Sequence, residues 1–128
     1  MRYLLLLFFL LSGLVNADII VDKSVKQKFN LYCTYPTQRE DNTDLTLLEI
    51  NKIIWYSSVD QITWNRIGGS SVACRFTIVS ADYTGINYFA AKTEDTEGRV
   101  SMLSSPPFKV TFEESQNPKT VTDVRDNE

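Results

Sequence analysis

Apolar residues along this chain recur with a period of two far more than with a period of 3.6, and β-branched and aromatic residues gather where they do, so the pattern predicts strands. Lys28 to Cys33 alternates cleanly, with Phe29, Leu31 and Cys33 on one side and Lys28, Asn30 and Tyr32 on the other. Ile53 to Tyr56 reads as a strand buried on both faces, pairing Ile53 with Trp55 and Ile54 with Tyr56. Cys74, Phe76 and Ile78 form a third inward set, Ile86, Tyr88 and Ala90 a fourth, and Phe108, Val110 and Phe112 the last. This is an all-β pattern.

Turn signals separate these runs: Gly68-Gly69-Ser70, Asp82 to Gly85 and Glu94 to Gly98 each carry the Gly or Asp that a tight reversal favours. Short strands with regular punctuation indicate a sandwich or barrel. Two segments interrupt the rhythm. Residues 35–52 form a long polar connection containing Leu45, Leu47, Leu48 and Ile50, readable as an extra short strand or as a single helical turn. Pro106-Pro107 sits in the last strand region, where missing donors allow only an edge position or a bulge.

The two ends differ from the middle. Met1 and Arg2 precede an unbroken apolar run, Leu4 to Leu11, and Val15-Asn16-Ala17 supplies a cleavage site, so residues 1–17 read as a signal peptide. The apolar stretch from Tyr3 to Val15, 13 residues, falls short of the roughly 20 that a spanning helix needs. Residues 18–112 form the predicted domain, and residues 113–128 read as a polar, disordered tail. The mature protein is expected to be extracellular and not inserted in a membrane.

Removing Arg2 with the leader takes one from the 13 basic side chains, leaving 12 against 16 acidic ones, a net charge of −4 with no basic cluster. Nucleic acid and anionic membranes are therefore poor partners. Cys33 and Cys74, an even pair in an oxidising compartment, read as a disulfide. Closing their 41-residue separation removes unfolded-state entropy worth about 4 kcal/mol. The alternative is two buried free thiols acting as small hydrophobes.

There is no histidine, which removes Ser-His-Asp, Cys-His and His-metal chemistry together. Glu40-Asp41 and Glu94-Asp95 lack ligand spacing and read as solvated loops, and Gly68-Gly69 lacks the Lys-Ser/Thr of a phosphate loop. No catalytic residues, metal or cofactor are expected. No asparagine heads an allowed Asn-x-Ser/Thr sequon, so N-glycans are not expected either.

A Cys on an early strand, a Trp on the next core strand and a corner with Asp, Gly and Tyr resemble an immunoglobulin domain. Cys33 falls where strand B carries its cysteine, Trp55 resembles the strand C tryptophan, and Asp82, Gly85 and Tyr88 resemble the E–F corner signature. The resemblance implies a Greek-key, immunoglobulin-like antiparallel β-sandwich. Ala90 stands where the second family cysteine belongs, so the usual inter-sheet bridge cannot form. Cys74 falls instead on the strand resembling E, the sheet neighbour of B, which implies a cross-strand bridge.

By the same resemblance, partners meet the C, F and G sheet or the loops at one end. Tyr56, Phe89 and Ala91 are expected to face outward there, as an apolar patch or as a surface covered by the 35–52 connection. Trp64 either faces the core with Ile62 or anchors a partner. The expected function is a non-enzymatic module that binds an extracellular or cell-surface protein. The alternative is a secreted inhibitor or immune-modulating decoy presenting residues 35–52.

Overall fold

The computed structural model describes residues 19–114. The predicted signal peptide, residues 1–17, and all but the start of the predicted tail lie outside the described residues. Seven strands follow in order: β1 (Ile19–Asp22), β2 (Lys28–Tyr32), β3 (Ile50–Ser58), β4 (Asn65–Ser71), β5 (Arg75–Val79), β6 (Gly85–Asp95) and β7 (Phe108–Glu113). They form two sheets. One has five strands in the order β1-β7-β6-β3-β4, and the other is the β2-β5 pair.

All pairings are antiparallel except β1 with β7, which run in the same direction with Ile19 beside Val110 and Val21 beside Phe112. The core lies between the sheets. Leu31 and Ile78 come from the small sheet; Ile53, Trp55, Phe89, Ala91, Val110 and Phe112 come from the large one. Trp55 stacks on Phe76 across the sandwich at 6.0 Å, and Phe29 lies 6.0 Å from Phe112. Tyr83, Phe89 and Phe112 form a three-ring cluster at one end, where burial, then the charge of Asp82, pushes the Tyr83 hydroxyl pKa up.

The inward face of β6 differs from the sequence expectation by one residue. Trp55 pairs with Ala91 and Ser57 with Phe89, so Asn87, Phe89 and Ala91 face the core while Tyr88 and Ala90 share the outer face with Tyr56. Phe89 is 2% exposed and is no part of an outward patch; Ile86, expected inside, is 44% exposed. Asn87 tolerates burial because its amide donates to the carbonyls of Thr84 and Gly85.

Gly68-Gly69 also departs from expectation, since both lie inside β4 and form no turn. A Cβ on Gly68 would strike the Phe76 ring, and one on Gly69, which sits at φ +134°, would lie 2.6 Å from the Ile54 Cα. Close approach of neighbouring groups, not chain reversal, requires glycine here. Pro106-Pro107 precedes β7 in the connection from β6, and β7 is an interior strand. No edge position or bulge is needed to accommodate the prolines.

Candidate functional site

The connections β2–β3, β4–β5 and β6–β7 meet at one end of the sandwich, and their hydrogen bonds fix them to one another. Cys33 and Cys74 form a disulfide with Cα atoms 4.9 Å apart, joining the two strands of the small sheet where they enter this end. Tyr35 adds a second tie: its hydroxyl donates to Val72 O at 2.7 Å and accepts from Cys74 N at 3.1 Å.

The long β2–β3 connection is internally bonded. Arg39 N donates to Thr43 O, Leu45 N to Thr37 O and Asn42 N to Arg39 O, with Asn42 at φ 70°, so residues 37–45 double back in a tight hairpin. Asp41 accepts from the Thr43 hydroxyl and N–H, which hold its carboxyl below the usual range. Next comes a single 3₁₀ turn, Leu47–Glu49, in which Thr46 and Glu49 cap each other. The helical-turn alternative is thus the one realised. The apolar residues of the connection divide: Leu45 and Ile50 are buried, whereas Leu47 and Leu48 are exposed, Leu48 at 92%.

The β6–β7 connection folds back along β6. Asp95 organises it, accepting from the N–H groups of Glu97 and Arg99 and from the Arg99 guanidinium at 2.8 Å. Burial raises the Asp95 pKa, but these donors outweigh it and leave the carboxyl below its usual value. Ser101 and Ser104 then pair with the backbone of Thr93 and Ala91.

Two contacts lock one connection to the other. Glu40 accepts from Met102 N at 3.0 Å, and Thr96 N donates to Glu49 O at 2.9 Å. Arg39 sits between them, donating to Asp44 O and to Glu49 at 3.2 Å, with its Nε 3.9 Å from Asp95. That Nε is buried without a hydrogen-bond partner among the described residues. The solvated-loop reading of Glu94-Asp95 is therefore corrected: Asp95 is 6% exposed and anchors an ion network, and Glu94 bonds Asn51 and lies 3.8 Å from Lys52.

These loops enclose a cavity of about 420 Å³ between Arg39, Leu45, Ala91, Asp95, Val100 and Met102. Met102 is 75% exposed at its mouth, with Leu47, Leu48 and Val100 also exposed at this end. The same loops carry Glu40, Asp41, Asp44, Glu49 and Glu97, of which Glu49 and Glu97 pair with Arg39 and Arg99, leaving an excess of negative charge. The arrangement presents apolar contact area on a frame of mutually hydrogen-bonded loops.

Compared with protein-family models, curated proteins and solved structures, the chain matches none. The site rests on its own geometry.

The residues singled out from sequence divide among separate places. Cys33 and Cys74 brace the loop end, and Trp55, at 4% exposure, is core. Asp82 is exposed in a 3₁₀ turn, and Gly85 opens β6 at φ 70°. Tyr56 and Tyr88 come together on the outer face of the large sheet, where Lys92 Nζ lies 5.2 Å from the centre of the Tyr56 ring. Trp64 is half-buried just before β4. Sequence reasoning missed Arg39, Asp95, Arg99 and Met102. The Asp-Thr-Glu-Gly-Arg turn was the available signal, because an Asp four residues before an Arg across a glycine can accept from both its backbone and its side chain.

Proposed function

We propose that this chain is a secreted, immunoglobulin-like module that binds an extracellular or cell-surface protein and has no catalytic role. The two-sheet arrangement supports the immunoglobulin-like part: β2–β5 corresponds to a B–E pair, and β7-β6-β3-β4 to the G, F, C and added C′ strands of a variable-type domain. Secretion rests on the leader-like residues 1–17 and agrees with the Cys33–Cys74 bridge. The absence of sequons leaves the surfaces free of N-glycans.

The binding surface is the loop end, and the observation that carries this is the exposure of Leu48 and Met102 on connections that are hydrogen-bonded to each other. Loop backbone already held in place loses little further entropy when a partner covers it. The carboxylates of these loops favour a partner that is basic at the rim and apolar at the centre. A second reading, a secreted inhibitor, is favoured by the internally bonded hairpin of residues 37–45, which is stiff enough to be inserted into a cleft.

The test uses protein expressed through a secretory pathway, tetramerised and applied to extracellular receptor ectodomains at two salt concentrations. Saturable binding should weaken with salt and be lost in the Leu48→Asp/Met102→Asp double variant, with the unfolding curve unchanged. No saturable binding, or binding indifferent to the double variant, would overturn the assignment.

A further inference from the structure

The smaller sheet contains only β2 and β5 among the described residues, so β2 has a free edge. Which backbone groups line that edge follows from the ladder. Ser80 N donates to Gln27 O and Cys33 N to Cys74 O, in the same register that pairs Phe29 with Ile78 and Leu31 with Phe76. Antiparallel bonding alternates along a strand, so the odd-numbered residues turn toward β5 and the N–H and C=O groups of Lys28, Asn30 and Tyr32 turn away from it. Among the described residues those outward groups have no backbone partner.

Beside this edge lies a groove of about 610 Å³, floored by Leu31, Trp55, Phe89 and Ala91 and bounded across from β2 by Pro106 and Phe108. Its lining also includes Tyr32, 70% exposed, and Phe108, 47% exposed, together with the polar Asn30, Thr34, Ser104 and Ser105. Natural sheets blunt free edges with charge, bulges or coverage. Here only Lys28 does so on the strand itself, and the slot next to it opens onto the hydrophobic core. Lys26 and Lys28 are exposed at one end of the edge and form no ion pair among the described residues.

We propose that β2 accepts an added antiparallel strand from a partner protein, an extended segment with alternating apolar side chains and a carboxylate facing Lys28. The parity sets which partner residues do what. Those opposite Leu31 and Cys33 point into the groove, and those opposite Lys28, Asn30 and Tyr32 point to solvent. Main-chain bonds to the three outward residues supply affinity, and the apolar floor selects the alternating pattern. The groove volume lies in the range of sites that enclose several side chains. The groove adjoins the loop-end cavity, sharing Thr34, Ala91 and Ser104 with it, but the added strand would bond to the β2 backbone and needs neither Leu48 nor Met102, so either assignment stands without the other.

The test screens the secreted, disulfide-bonded protein against a phage-displayed library of random twelve-residue peptides. Enriched peptides should alternate apolar and polar residues and carry an acid near one end. With a saturating synthetic copy of one such peptide, the amides of Asn30 and Tyr32 should exchange at least tenfold more slowly. The Asn30→Pro variant removes one outward donor and, with the side chain, the acceptor of the Thr77 hydroxyl bond, sparing the backbone bonds to β5, and should bind at least tenfold more weakly. The Leu48→Asp/Met102→Asp variant should bind the peptide as wild type does.

The exchange measurement needs no variant, so it decides the matter even if Asn30→Pro does not fold. Four results would each overturn the proposal: no enrichment, enriched peptides that lack alternation, peptides that bind Asn30→Pro equally, or Asn30 and Tyr32 amides already slow in the free protein. The last result, with a concentration-dependent dimer in sedimentation, would give the edge to a second copy instead.

Discussion

The sharpest consequence of the β6 register concerns two adjacent side chains, Tyr88 and Phe89. Phe89 is 2% exposed and packs edge-on against Tyr83 at 5.3 Å and Phe112 at 6.3 Å. Truncating it to alanine removes a whole ring from a buried site, which costs about 3–5 kcal/mol. Tyr88 is only partly buried, on the outer face opposite Lys109, and Tyr88→Ala should cost about 1 kcal/mol. Domains of this size have a total stability of about 5–15 kcal/mol, so Phe89→Ala should leave the fold near its limit.

Urea unfolding followed through Trp55 and Trp64 fluorescence would measure both variants. The midpoint of Phe89→Ala should fall far below that of Tyr88→Ala with similar slopes, and thermal midpoints should separate by about 4–8 °C per kcal/mol. The reverse order would refute the register. A one-residue slip exchanges the two faces of a strand, so a larger loss at Tyr88 would place that residue in the core.

Replacing both cysteines, Cys33→Ala with Cys74→Ala, should lower stability by about 4 kcal/mol, the chain-entropy value for a 41-residue closure; a loss under about 1 kcal/mol in urea titration would deny the bridge that role. Stability should also fall in acid. Asp41, Glu49, Asp60 and Asp95 all have lowered folded-state pKa values, so their contribution is complete above the unfolded carboxylate range near about pH 4 and is lost as pH falls through the folded values. Thermal midpoints measured across that window should drop with pH, less steeply in Asp95→Asn; an unchanged slope in that variant would remove Asp95 from the account.

Much of the frame was legible because single residues settled it. Trp55 within an apolar run marked a core strand, and the Phe29-Leu31-Cys33 and Phe108-Val110-Phe112 alternations each have one inward solution. The β6 register failed because its alternation has two solutions. Tyr88 and Ala90 look as apolar as Phe89 and Ala91, and the polar Asn87 on the inward side disguises the true face, since its amide closes on the Thr84 and Gly85 carbonyls only in the folded chain.

Burial on both sides deepened the ambiguity, since Ile54 and Ala90 are covered on the outer face. Gly68-Gly69 was mistaken for a turn because close approach of Phe76 and Ile54 leaves no mark in local sequence. The site was the least legible part. Arg39 and Asp95 meet only after the chain has formed three intervening strands, and a charged loop that will be buried reads like one that will not.

The parallel pairing of β1 with β7 bears on how the molecule carries load. Chain enters β1 at Ile19 and leaves β7 at Glu113, and because the strands run in the same direction these points lie at opposite ends of the pair. Tension applied through the flanking segments therefore pulls the two strands past each other lengthwise. Their evenly spaced cross-strand bonds share that force and must give way together. The Cys33–Cys74 bridge lies in the other sheet and takes none of this first load. Tension between the entry to β1 and the exit of β7 would meet this interlocked seam before anything else.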